Sequence, residues 1–304
     1  MKLVSTSVEW WPQTTLAQHI ARVGRICYKA KGKQPGEDLT EEEVKAFIEK
    51  RDKERCQGFW ESGHRSMYRH GTQYFFLPTD KGMPPFLWAQ LKASPYIDYS
   101  TVSIKRGKEN KVWISTNMQF LLEHGNLYKL LAPYAVSEAD FIKKAQEYDC
   151  EDAFALLRFT MVVTTQIVTS RELNRTSPNC IAEQSTRYCN LSKKGGVQIA
   201  RPHWYLGGTR WQRFVYSCVC RVCELGYNLL LRSGLKPEDS RGVLPLDTYT
   251  IVAYTYSIAE WQHILDLRYH GKTGRPHPNA HCVAEQIRNR ILERMRVYVP
   301  QFDF

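Results

Sequence analysis

The stretch RFTMVVTTQIVTS (158–170) restricts the fold more than any other part of the chain. It is dense in β-branched residues, which suits a buried strand, although apolar period alone also admits a helix. Around it the chain mixes segments of both periods. Residues 14–30 and 40–56 read as polar, charged helices. The second opens at Thr40 with three glutamates in its first turn, where the helix dipole favours acid. GTQYFFLP (71–78) reads as a strand, and NKVWISTNMQFLLEH (110–124) as a short strand turning into a helix at Asn117. Residues 210–234 form a helix that Gly234 ends. Residues 282–298 form another, with Val283, Ile287, Ile291 and Met295 on one face. No internal repeat, low-complexity tract or dividing linker interrupts the 304 residues. The chain therefore reads as a single domain over 1–304, with a long, proline-punctuated middle insertion around 79–151.

An apolar content of 43% is ample for a buried core. No run reaches the roughly 18 apolar residues of a membrane span, so none is expected. The N-terminus, MKLVSTSVEWWPQ, has no apolar h-region. The nine cysteines accordingly read as reduced thiols, and the expected location is cytoplasmic. The net charge of +11 points to an anionic partner. That charge is spread along the chain without a basic run or a helix-turn-helix or zinc-finger spacing. A phosphate-bearing small ligand explains it with less than a nucleic acid does.

One segment concentrates polar chemistry. SRELNRTSPNCIAEQSTRY (170–188) shows no hydrophobic repeat of either period, so core packing does not account for it. Arg171, Arg175 and Arg187 each offer a planar donor fork suited to phosphate or carboxylate. Ser185 and Thr186, with their backbone amides, could complete a phosphate cradle. Glu172 and Glu183 could accept from a base or ribose. Pro178-Asn179 breaks regular structure, so these groups are expected to converge across a loop. On residues alone, a site for a phosphorylated small ligand stands against an exposed basic loop. In SGHRSMYRH (62–70), His64 and His70 lie six residues apart, the wrong spacing for a metal pair on one helical turn. They read as imidazoles beside an anion, or as surface histidines.

The segment resembles the signature of flavin-dependent thymidylate synthases, in which Arg-His-Arg is followed by Ser-x-Arg-Tyr. Arg175 falls on the first arginine, and Ser185, Arg187 and Tyr188 on its end. SGHRSMYRH is similar to the family's Gly-His-x-Ser-x-x-Glu-His segment, with Gly63, His64, Ser66 and His70 in place. WISTN (113–117), GLKPEDSRGVLPLDTYT (234–250), EWQHILDLR (260–268) and PHP (276–278) follow in the order of one branch of the family. The resemblance covers most of residues 60 to 290. Thr176 and Ser177 replace the family's His-Arg, and Arg69 stands where a glutamate is usual.

The resemblance implies an α+β fold with a curved, largely antiparallel sheet flanked by helices, and a homotetramer with sites between subunits. It implies a methyltransferase acting on C5 of a pyrimidine nucleotide, most simply dUMP to dTMP. Its cofactors would be FAD, methylenetetrahydrofolate as one-carbon donor and NADPH as reductant. Arg268 and Ser185 would be catalytic, Arg268 by polarising the pyrimidine oxygens. Glu172, Glu183, Gln184, Ser185, Thr186, Arg187, Tyr188 and Arg268 would bind the nucleotide, with the amides of 184–186 on its phosphate. His64, Ser66, Arg69, His70, Arg171, Arg175, Thr176 and Ser177 would face the cofactors. Two further readings stay open: action on another pyrimidine nucleotide, or a nucleotide- or RNA-binding protein that has lost the redox chemistry. Cys180, inside the motif, could carry a lowered thiol pKa beside Arg175 and Arg187, although the family position is usually serine. Cys218, Cys220 and Cys223 read as core thiols rather than a zinc site.

Overall fold

A computed structural model describes residues 1–30, 32–79, 85–103, 110–176, 180–193 and 196–304. Ser177 therefore lies outside the described residues. The β-branched run resolves into both of its sequence alternatives, strand β7 (Arg158–Gln166) and then helix α3 (Ile167–Asn174). β7 is one of the two inner strands of a four-stranded antiparallel sheet in the order β2 (Ser7–Trp11), β7, β10 (Tyr249–Ser257), β8 (Ile181–Glu183). Burial on both faces explains its nearly continuous apolar run. A second antiparallel sheet has the order β4 (Ile97–Ser103), β5 (Asn110–Asn117), β3 (Thr72–Thr79), β6 (Ala135–Val136). The short strands β1 (Lys2–Val4) and β9 (Gln198–Ala200) pair in parallel. The fold is α+β with largely antiparallel pairing, and the described strands form two four-stranded sheets and one two-stranded sheet.

Five other helices matter for the site: α1 (Leu16–Tyr28), α2 (Glu41–Glu61), α4 (Arg210–Arg232), α5 (Ile258–Arg268) and α6 (Pro278–Met295). Their ends follow local chemistry. Thr40 and Glu43 close a capping box on α2, as do Thr209 and Gln212 on α4 and Ser257 and Glu260 on α5. Gly234, at φ +96°, follows α4 where the chain turns left-handed. Val283, Ile287, Ile291 and Met295 are fully buried and pack α6 into the core around β7 and β10. A second core lies under α1 and α2, against β3 and β5. There a Cβ at Gly24 would overlap the Phe59 ring, so only glycine lets the two helices approach so closely.

Among the described residues one helix is long and apolar enough, by length and composition, to cross a membrane. It is α4, and little of it is buried. It carries Arg213, Arg221 and Glu224 within its length.

A hydrogen-bonded chain crosses the first sheet. Arg22 Nη2 lies 3.3 Å from His19 Nδ1, and because arginine can only donate, His19 carries its proton on Nε2. Nε2 donates to Thr160 Oγ1 (2.9 Å), which donates to Thr255 Oγ1 (2.7 Å), which donates to His70 Nδ1 (2.8 Å). Burial is the main cause that holds His19 down to about 4 and His70 to about 3. Below the ordinary histidine value the unfolded chain binds protons that the native one excludes. Stability therefore falls as pH drops from 6.5 toward those values. Each histidine should remove about 1–2 kcal/mol between pH 6.5 and 5. Burial raises Asp98, Glu138 and Glu260, and these carboxyls act in the opposite sense. Urea midpoints across this range should slope less in His19→Gln than in the native protein. Equal slopes would mean that His19 does not keep its proton out.

Candidate functional site

The motif is not a loop throughout. Ile181–Glu183 pair with Tyr254–Val252 as β8, and Cys180, Ala182, Gln184 and Cys189 are buried, so packing does account for part of this stretch. Only Ser185 onward leaves the sheet. Ser185 Oγ accepts from the amides of Arg187 (3.1 Å) and Tyr188 (3.3 Å), which folds residues 185–188 into a tight turn. The expected amide cradle is corrected here. The Gln184 amide donates to the Ile251 carbonyl and the Ser185 amide to the Cys27 carbonyl, so neither is open to a phosphate.

Around that turn stand groups from distant parts of the chain. Arg187 is held by Glu238 at 2.5 Å and is more than half exposed. Their hydrogen bond raises the arginine and lowers the carboxyl from its ordinary value. Arg241 donates to Thr186 Oγ1 at 2.9 Å. Tyr188, itself exposed, lies 6.0 Å from Tyr28 at the end of α1, with Arg55 over the Tyr28 ring. His64 reaches the same place, with Nδ1 3.4 Å from Tyr28 Oη and 3.2 Å from Ser62 Oγ. Glu238, Arg241, Tyr28 and Arg55 were not singled out as site residues. Only the resemblance of residues 234–250 touched Glu238 and Arg241.

On α3, Arg268 from the end of α5 donates through Nε (3.3 Å) and Nη2 (3.1 Å) to the Glu172 carbonyl. Its Nε also lies 3.8 Å from the Glu172 carboxylate. One edge of the guanidinium is thus fixed, while Nη1 has no partner among the described residues. Glu183, at the end of β8, accepts from Ser170 Oγ (2.7 Å) and Thr250 Oγ1 (2.9 Å). Tyr254 Oη donates to Asn174 Oδ1 at 2.8 Å, which ties the last turn of α3 to β10. Arg171 and Arg175 are exposed at the C-terminal end of α3 without side-chain partners among the described residues.

Three of the expected cofactor-facing residues are placed elsewhere. His70 is completely buried and bonded to Thr255, because the 3-10 turn Arg65–His70 points it inward while His64 stays exposed. Arg69 donates to Gln119 at 2.8 Å and lies over Tyr96, by the second sheet. Thr176 donates to the Leu173 carbonyl at 2.7 Å, closing α3. Ser66 is exposed beside His64 in sequence.

Cys180 is also corrected. Its thiol is buried 3.8 Å from His70 Nδ1, in a pocket with Arg69, Asp98, Arg158 and Glu260. Burial outweighs Arg158 and pushes the thiol up to about 12, so no thiolate forms near neutral pH.

The sequence model of the family described as Thymidylate synthase complementing protein matches residues 105–300. The match begins after the His64–His70 segment. Two solved structures of the UMP/dUMP methylase PolB from Streptomyces cacaoi are similar to this chain. The one bound with 5-Br UMP is 26% identical, covers 50% of this chain and 76% of its own, and has a TM-score of 0.40. The one bound with 5-Br dUMP is 24% identical, covers 52% and 76%, and has a TM-score of 0.39. No curated protein matches the chain.

Proposed function

The chain belongs to the thymidylate synthase complementing protein family, and on that premise we propose that it methylates C5 of a pyrimidine nucleotide, with dUMP as the first candidate. The observation that carries this reading is Arg268 anchored along one edge to Glu172, with its other edge uncommitted. An arginine fixed in this way can accept developing negative charge on a pyrimidine carbonyl without first reorganising. The same reading takes 1–304 as one domain, with β4 within the insertion around 79–151.

The residues that remain available partly fit a flavin. Arg171 and Arg175 are exposed cations at the end of α3, and His64 and Ser66 are accessible beside the motif turn. His70, Arg69 and Thr176 are committed elsewhere, so the protein would hold FAD through fewer contacts than the motif implies. When bound, reduced flavin supplies the hydride, methylenetetrahydrofolate the one-carbon unit and NADPH the reducing equivalents. The chain's own part is to hold the phosphate at Ser185, Thr186 and Arg187, and the sugar and base at Glu172, Glu183 and Arg268. A nucleotide-binding protein without redox chemistry is the second reading, favoured by those three committed residues. Flavin absorbance in the purified protein, bleaching on reduction, separates the two. A colourless protein that gains no flavin on reconstitution would leave binding alone.

Arg187 must exchange Glu238 for a phosphate when nucleotide enters. Arg187→Ala should weaken nucleotide binding by about 1.5–3 kcal/mol, as expected for a hydrogen bond to a charged group. Glu238→Gln should tighten it, because a competing anion is removed. Calorimetry with dUMP, UMP and dCMP measures both, and an unchanged Arg187→Ala removes this residue from the site.

A homotetramer is also proposed. On α4, Trp211, Phe214, Val222, Leu225 and Leu229 are all more than half exposed, at spacings of three, eight, three and four residues. That is an apolar helical face of the kind copies of one chain bury against each other. Sedimentation equilibrium should show a multimer that Leu225→Glu dissociates. A native protein that stays monomeric at micromolar concentration rejects the assembly.

A further inference from the structure

Two buried hydroxyls reach the same oxygen of Glu183. Ser170 Oγ lies 2.7 Å and Thr250 Oγ1 2.9 Å from Oε1. Ser170 is 0% and Thr250 1% exposed, whereas Glu183 is only partly buried. The three residues come from α3, β10 and β8, so three elements converge on one atom. Ser170 has a single proton and also lies 2.9 Å from the Ile167 carbonyl. The closer, charged oxygen takes the larger share of it. Oε1 thus receives two donors, while Oε2 has no partner among the described residues.

We propose that Ser170 and Thr250 are positioning residues that lock Glu183 so that Oε2 alone is offered, as an acceptor that reads a hydrogen-bond donor on the nucleotide. The inference rests on the nucleotide reading of the site. The donor is either the ring N3–H of uracil or a sugar hydroxyl. Cytosine presents an acceptor at N3, so a carboxylate oxygen facing N3 rejects it. A sugar hydroxyl carries no such distinction.

The clamp makes an unusual statement about Glu183→Gln. Two hydroxyls donating inward favour the carboxamide orientation that turns its carbonyl toward them, which leaves its NH2 pointing outward. The offered group then changes from acceptor to donor. Binding of dUMP should fall about 10- to 100-fold, the range of a charge-assisted hydrogen bond. If the ring is read, dCMP should be weakened less or even gain. If a sugar hydroxyl is read, dUMP, UMP and dCMP should fall together.

Adding Thr250→Val to Glu183→Gln loosens the clamp and lets the amide turn. Several-fold of the lost dUMP affinity should then return, an effect no purely structural role produces. Thr250→Val alone should weaken dUMP several-fold, and Thr250→Ser should bind like the native protein. Calorimetry with the three nucleotides on the full chain reads every case. Native protein that binds none of them overturns the reading of the site, and the inference with it. Native binding with Glu183→Gln unaffected, or with Thr250→Val no different from Thr250→Ser and no recovery in the double variant, overturns the inference alone.

Discussion

Replacing Asp52 by alanine is expected to cost about 3–5 kcal/mol of stability, the range for breaking a buried ion pair from one side. Asp52 is completely buried at the contact between α1 and α2. Its carboxylate is bonded by Arg25 of α1, and by Arg51 through Nε at 2.9 Å and Nη2 at 3.2 Å. Both guanidinium side chains are mostly buried, at 16% and 19% exposure. Removing the carboxylate leaves two such cations facing each other without a counter-charge. Asp52→Asn keeps one acceptor but no charge, and should lie between alanine and the native protein. Urea unfolding at neutral pH measures the series. A loss under about 1 kcal/mol for Asp52→Ala would mean that the packing of Phe59 on Gly24 holds the helices without help. The consequence reaches the site, because the C-terminal end of α1 carries Tyr28 and the Cys27 carbonyl that anchors Ser185.

Much of the fold was legible where a local signal decides structure. Thr40 with Glu43 and Asn117 before Met118 are capping signals that need no partner outside the helix. Val283 to Met295 show their buried face through spacing alone. The site was legible in its residue types and less so in its connections. β8 is three residues long and contains Glu183, so no alternation was available to announce it. Whether His70 meets solvent or core depends on Thr160 and Thr255, about 90 and 185 residues further on, which no local pattern reveals. The Gln184 and Ser185 amides looked free because their acceptors, Ile251 and Cys27, are equally remote. Glu238 illustrates the same limit: its segment matched the family in order, yet only the fold shows it beside Arg187.

Arg268→Lys is expected to lower the rate of C5 chemistry about 100- to 1000-fold, the usual loss of one preorganised electrostatic donor. Arg268 uses Nε and Nη2 on the Glu172 carbonyl, so its orientation is set before any ligand arrives. A lysine keeps the positive charge but has one nitrogen, which cannot hold that carbonyl along a planar edge and still face the ring with a second group. Charge on the pyrimidine oxygens develops during reaction, so the loss should fall on kcat more than on nucleotide affinity. The measurement is tritium release from C5-labelled dUMP, UMP and dCMP, each with reduced flavin and methylenetetrahydrofolate. Release from one of them that drops with Arg268→Lys while calorimetric affinity changes little identifies the base and places Arg268 on the reacting ring. Equal rates in the two proteins would assign Arg268 only to holding α3 against α5. No release from any of the three, with nucleotide binding intact, would favour the binding protein, because an arginine oriented this firmly can hold a ring oxygen without changing it.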